Sequence, residues 1–198
     1  MDNHSKSEVL GKLTDKRLRH TQGVRETAGK LCRIHFKGTV EELQDFIERS
    51  DTAVCCHDLF RGRSAEELNK LVAELGLDER YMDSPNLSHG KIAALVMERD
   101  YGITDQDMLN AVSFHTTGRR GMSLMEKIVF LADAIEPGRE YPGVDEIREI
   151  SLTDLDRACL MSLEGTIRFL KDSGKSNDEI DRDTLRARDW LAECLDKQ

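Results

Sequence analysis

Helix-start signals punctuate this chain and leave little room for other structure. Thr39 with Glu42, Ser64 with Glu67 and Ser123 with Glu126 each have capping-box spacing. In that pairing the hydroxyl accepts from an amide three residues on, and the acid reaches back to the first amide. Thr104 with Asp107 and Ser151 with Asp154 are weaker versions. Prolines occur only at positions 85, 137 and 142, and aromatic residues make up 5% of the chain. No alternating hydrophobic run is long enough for a half-buried strand. The spacing predicts helices near residues 5–13, 15–35, 40–59, 65–75, 89–100, 105–115, 124–135, 152–172 and 184–195. Leu18, Val24, Ala28 and Leu31 recur at helical intervals, as do Leu68, Leu71, Val72 and Leu75. The predicted fold class is all-α, a single domain over 1–198, with a polar connection at 173–183 too short to separate two domains.

Composition narrows the function classes. A formal net charge of -9 on 198 residues argues against a general nucleic-acid binder, which needs a broad basic face. A few local arginines can still reverse the field inside a cleft and admit a small polyanion. No apolar run approaches the roughly 18 residues of a membrane span. The polar start of the chain lacks the apolar stretch of a secretory signal, so the expected compartment is the cytoplasm. The five cysteines, at 32, 55, 56, 159 and 194, form no CxxC pair and read as buried thiols.

Four of the six histidines keep unusual company. His57 and Asp58 follow the apolar run Ala53-Val54-Cys55-Cys56, so an imidazole and a carboxylate stand together in an apolar setting. Burying that carboxylate is costly unless something positive meets it. Asp133 interrupts Ile128-Val129-Phe130-Leu131-Ala132 and shares the inward face of Val129 and Phe130. His20 lies on the stripe of Val24, Ala28 and Leu31, and His115 follows Ala111 and Val112 at helical offsets. His89 follows Ser88, which reads as an N-cap and places His89 in a first helical turn, where a phosphate is favoured. Taken singly, each such group is more often a satisfied core histidine, or an acid that caps a helix or pairs with Arg, than a ligand. Together they suit a first-row divalent metal. His4 and His35 lack this setting. Thr116-Thr117-Gly118-Arg119-Arg120-Gly121 and Glu136-Pro137-Gly138-Arg139 read either as phosphate-handling loops or as solvated surface loops.

His20, the doublet His57-Asp58 and the distant Asp133 resemble the H…HD…D signature of the HD superfamily of metal phosphohydrolases. Ser113-Phe114-His115-Thr116-Thr117-Gly118-Arg119 and the run from Met122 to Arg139 are similar to the YqeK-type branch, whose members are symmetrical dinucleoside-tetraphosphate hydrolases. His20-Thr21-Gln22-Gly23-Val24, Leu87-Ser88-His89-Gly90, Thr166-Ile167-Arg168 and Ala187-Arg188-Asp189-Trp190-Leu191 extend the likeness over nearly the whole chain.

The resemblance implies an HD-type helical bundle, with a metal-binding core at about 15–135 and C-terminal helices at about 152–195. It implies hydrolysis of diadenosine tetraphosphate to two ADP by a metal-activated water. The metal ligands implied are His20, His57, Asp58 and Asp133, with room for a second metal at His89 and His115. Iron is the first choice of metal, and manganese or cobalt the alternatives. Asp58, Arg61, His89 and His115 are the implied catalytic groups. Arg17, His89, His115, Thr116, Arg139, Thr166 and Arg168 are the implied substrate contacts. The expected partners are a dinucleoside polyphosphate substrate and an ADP product, with no nucleic acid or membrane, and a homodimer is left open. The alternatives are an HD enzyme for another nucleotide phosphate ester, or a nucleotide-sensing module without turnover. The chain departs from the family pattern at Arg61, where Lys is usual, at Arg120, where Pro is usual, and at Cys55-Cys56, where larger apolar residues stand.

Overall fold

The computed structural model describes residues 3–197, with side chains from Lys6 onward, so the side chain of His4 lies outside the described residues. Among these residues every regular element is helical. The order is α1 (Asn3–Gly11), α2 (Asp15–His35), α3 (Val40–Cys56), α4 (Ala65–Glu74), α5 (Pro85–Tyr101), α6 (Gln106–Ser113), α7 (Leu124–Ile135), α8 (Val144–Ile150), α9 (Leu155–Asp172) and α10 (Arg182–Leu195). Two short 3-10 turns, Glu79–Tyr81 and Asn177–Glu179, lie in the connections.

The three strong start signals form closed capping boxes, at Thr39, Ser64 and Ser123. The two weaker ones do not. Asp105, not Thr104, accepts the amides of Asp107 and Met108, and Asp154, not Ser151, accepts that of Arg157. In each case a carboxylate takes the cap, where its charge also complements the positive helix end. α3 ends at Cys56 rather than at 59, and α9 begins at Leu155 rather than at 152.

α5 brings a larger correction. It starts at Pro85, with Ser84 in the N-cap position, because proline's fixed φ suits the first helical residue and its missing N–H is not needed there. Ser88 is therefore inside the helix, and His89 lies beyond the first turn, away from the exposed amides of the helix end. The sequence reading also missed α8. It is one short stretch after Gly143 (φ 89), anchored by buried Val144 and Ile147, and two apolar positions are too few to display a period.

Packing determines where the helix ends meet. α2 lies against both α3 and α7, and α6 against α3, α5 and α7. α9 covers α7, and α10 covers α9. The main core includes Leu31, Ala53, Met97, Val112, Ile128, Leu131, Leu163 and Leu191. A smaller cluster of Leu68, Val72, Tyr81, Ile92 and Val96 fastens α4 and the first 3-10 turn to α5. Burying each Leu or Ile contributes about 1.5–3 kcal/mol. This packing fixes the angles at which α2, the C-terminal end of α3, and α5, α6 and α7 approach one another. No helix among the described residues is long and apolar enough to cross a membrane.

Candidate metal centre

Asp58, in the turn after α3, stands at the middle of a cluster of imidazoles. Its Oδ2 lies 3.7 Å from His20 Nε2 and 3.7 Å from His57 Nε2. Its Oδ1 lies 3.3 Å from His89 Nε2 and 3.9 Å from His115 Nε2. Asp133, in the last turn of α7, closes the first half, with Oδ1 2.9 Å from His20 Nε2 and 4.0 Å from His57 Nε2. His20 of α2, His89 of α5 and Asp133 of α7 therefore converge with His57 and Asp58, just past the end of α3, and His115, just past the end of α6. His57, His89 and His115 are each at most 2% exposed.

The outward nitrogen of each ring is already committed. His57 Nδ1 donates to the Val54 carbonyl at 2.6 Å, His115 Nδ1 to Val112 at 2.7 Å and His89 Nδ1 to Pro85 at 2.9 Å. Carbonyls only accept, so these bonds place the ring proton on Nδ1 and leave a lone pair on Nε2. His57 Nε2 is then a buried acceptor with no hydrogen-bond partner. His89 Nε2 and His115 Nε2 face each other at 3.1 Å, lone pair against lone pair. Buried polar atoms are rarely left so, and a cation resolves both arrangements. His20, His57 and Asp58 offer ligand atoms within 4.8 Å of one another, and so do Asp58, His89 and His115. Imidazole nitrogens oriented by their other ring N–H, together with carboxylate oxygens, form a donor set that fits a divalent metal.

Electrostatics agree. Burial raises the Asp58 carboxyl, but His57, His89 and His115 outweigh it and hold the group well below the usual carboxylate range. Burial raises Asp133 likewise, and His20, His57 and Arg139 pull it below that range. Burial lowers His20, but Asp133 and Glu136 outweigh it and raise the imidazole above its ordinary value. Burial, with His89 and His57 close by, pushes the His115 imidazole down to about 3.

Two arginines reach the carboxylates of the centre. Arg17 Nη1 donates to Asp58 Oδ2 at 2.8 Å. Arg139 donates through Nη2 to Asp133 Oδ1 at 2.6 Å and through Nε to the Asp133 carbonyl at 2.8 Å. Arg61 turns instead to Asn86 Oδ1 at 2.5 Å. Thr116 is half-buried beside His115. Thr166 and Arg168 are exposed on α9, where the Thr166 hydroxyl donates to the Ser162 carbonyl of its own helix, and neither touches the centre. Arg119, in a loop that read above as either phosphate-handling or solvated surface, is engaged by the protein. Its Nε and Nη2 each lie 2.6 Å from Glu126, which is 2% exposed and needs a counter-charge. Arg120 pairs at the surface with Glu193. Cys55 and Cys56 are buried in the core of α3. The sequence reading gave Glu136 no role, although it accepts from His20 Nδ1 at 3.1 Å. An acid three residues after Asp133 was visible, but its pairing with a histidine far away in sequence was not.

The HD domain family matches residues 17–138, a span that contains every residue of this cluster. The chain belongs to the HD domain family. Its relatives in that family include the symmetrical bis(5'-nucleosyl)-tetraphosphatase of Bacillus subtilis (strain 168), 35% identical over 92% of this chain and 93% of that one. The protein of the same name from Halalkalibacterium halodurans is 40% identical over 87% of both chains. A crystal structure from Clostridium acetobutylicum, of a predicted HD superfamily hydrolase involved in NAD metabolism, covers 98% of each chain with a TM-score of 0.85 and 34% identity. The HD fold and the YqeK-type resemblance read from the motifs are thereby shown.

Proposed function

We propose that this HD protein hydrolyses dinucleoside tetraphosphates symmetrically, converting diadenosine tetraphosphate to two ADP. The observation that carries the reading is the paired geometry at Asp58. Two sets of oriented imidazoles share this one carboxylate, and Arg17 and Arg139 donate to the two aspartates beside them. The relatives named above carry the same activity in their names.

His20, His57, Asp58 and Asp133 would hold the divalent metal, and Asp58, His89 and His115 a second one. Iron is our first assignment, with manganese and cobalt as alternatives, because imidazole and carboxylate donors suit these ions. Such an ion supplies Lewis acidity and acidifies water at neutral pH. Symmetrical cleavage needs water to attack an inner phosphorus while the bridging oxygen departs with the second ADP. Asp58, with one oxygen in each half of the cluster, is placed to orient that water. Arg17 and Arg139 present planar forks of donors to the phosphoryl oxygens and stabilise the charge that develops there. His89 and His115 would support the same step from beside Asp58 Oδ1. On the family resemblance, Arg61 is assigned to the charge that develops during cleavage, and Thr116, Thr166 and Arg168 to the outer phosphates and nucleosides. The cysteines at 32, 55, 56, 159 and 194, with no CxxC pair, are in keeping with a cytoplasmic address.

The test is to incubate the protein with diadenosine tetraphosphate and iron, manganese or cobalt, and to separate the products. ADP as the only product supports attack at an inner phosphate. ATP plus AMP keeps a hydrolase but rejects that position. No turnover with any metal moves the weight to another phosphate ester or to a sensing module.

A further inference from the structure

Glu136 touches the centre from outside the proposed ligand set. It follows α7 directly and is 5% exposed. Its Oε1 accepts from His20 Nδ1 at 3.1 Å, and its Oε2 accepts the Gly138 amide at 2.6 Å. The approach depends on a glycine. A Cβ on Gly23, one turn after His20 in α2, would stand 2.7 Å from Glu136 Oε2 and 3.4 Å from Pro137 Cδ.

The backbone that carries Glu136 is strapped by Arg148 of α8. Arg148 Nε donates to the Ile135 carbonyl at 2.9 Å, and Nη2 donates to the carbonyls of Glu136 and Arg139, each at 2.8 Å. One guanidinium thus satisfies three acceptors at the end of α7, a place where helix carbonyls lack internal partners. The strapped segment presents Glu136 to His20 and Arg139 to Asp133.

We propose that Glu136 is a positioning residue that locks the His20 ring and keeps its proton on Nδ1, so that Nε2 faces the metal, with Gly23 and Arg148 holding Glu136 in register. The inference rests on the metal centre described above. The physical basis is the polarity of the two contacts. The Gly138 N–H needs an acceptor, and so does the His20 Nδ1–H. A carboxylate supplies both, whereas a carboxamide supplies one. In Glu136→Gln the amide oxygen must turn to the Gly138 N–H, because the reverse orientation sets two donors face to face. The amide NH2 then meets His20 Nδ1 and moves the ring proton to Nε2, where it blocks the ligand lone pair. Partners of this kind are typically worth about 10- to 100-fold in metal affinity.

The experiment is a cobalt(II) titration of the full chain followed by visible absorption, with a thermal melt of the metal-free protein alongside. Glu136→Gln should bind cobalt about 10- to 100-fold more weakly, with an altered absorption band and an unchanged metal-free melt. Gly23→Ala, which displaces the same carboxylate by a different route, should weaken binding in the same direction. Parent-like affinity and spectrum in Glu136→Gln would overturn the proposal. So would a metal-free melt that falls in step with the affinity, since that marks a merely structural contact. A parent protein that bound no cobalt would sink the metal centre itself, and this inference with it.

Discussion

Gly90 separates local helix propensity from tertiary fit in a way that can be measured. It sits inside α5, where alanine is ordinarily favoured over glycine by about 1 kcal/mol. Yet a Cβ at Gly90 would stand 2.8 Å from the Val112 carbonyl and 2.9 Å from His115 Cε1. The carbonyl belongs to α6 and cannot rotate away, so α5 and α6 must part. Overpacking of this kind costs about 1–3 kcal/mol. Against the propensity gain, Gly90→Ala should therefore be about 1 kcal/mol less stable than the parent. Gly165 is the control, because it lies inside α9 and a Cβ there meets nothing within 4 Å. Gly165→Ala should gain about 1 kcal/mol. For a chain of this size each kcal/mol moves Tm by about 2–4 °C, so the two variants should shift in opposite directions in melts of the metal-free protein. Displacing His115 from His89 should also reduce turnover of diadenosine tetraphosphate, on the order of 100-fold for a shift near 1 Å. A Gly90→Ala protein that melted higher along with Gly165→Ala would refute the close approach of α5 and α6.

Other substitutions probe the scaffold. Asp51 accepts from Arg25 at 2.6 and 3.2 Å and from Lys6 at 2.9 Å, joining α1 and α2 to α3. Burial raises its carboxyl, but these cations outweigh it and lower it below 3.8. The stabilisation is thus present above the unfolded value and is lost as pH falls through the folded one. Asp51→Asn should cost about 1 kcal/mol at pH 7 and soften the decline below pH about 4, and an unchanged acid limb in urea melts would count against it. Arg119→Met leaves the buried Glu126 carboxylate without its guanidinium, so the urea midpoint should fall by the equivalent of about 3 kcal/mol. A loss of catalysis without a loss of stability would instead restore Arg119 to the phosphate. Burial pushes the thiols of Cys55 and Cys56 up to about 11 and about 12. Iodoacetamide at neutral pH should therefore spare both until the protein unfolds, while Cys194, only partly buried, is modified first. Peptide mapping would show the order.

The chain's helix starts were legible because a capping box is a bond between a side chain and backbone three residues away. The candidate ligands stood out because an acid or histidine set in an apolar stripe must face inward, and a buried charge needs a partner. Periodicity tells which side of a helix is buried, but not which helix lies against that side. The match of Glu136 to His20 spans 116 residues and is created by the contact of α2 with α7. Arg119 was compatible with phosphate until the packing buried Glu126 beside it. The short α8 with its Arg148 strap and the divided surroundings of Asp58 likewise belong to three dimensions. The sequence by itself determined the long helices, their inward faces and the chemistry of the candidate ligands, since these depend on neighbours along the chain. The tertiary structure alone decided which groups orient those ligands, because that depends on the distances and angles at which separate helices come to rest.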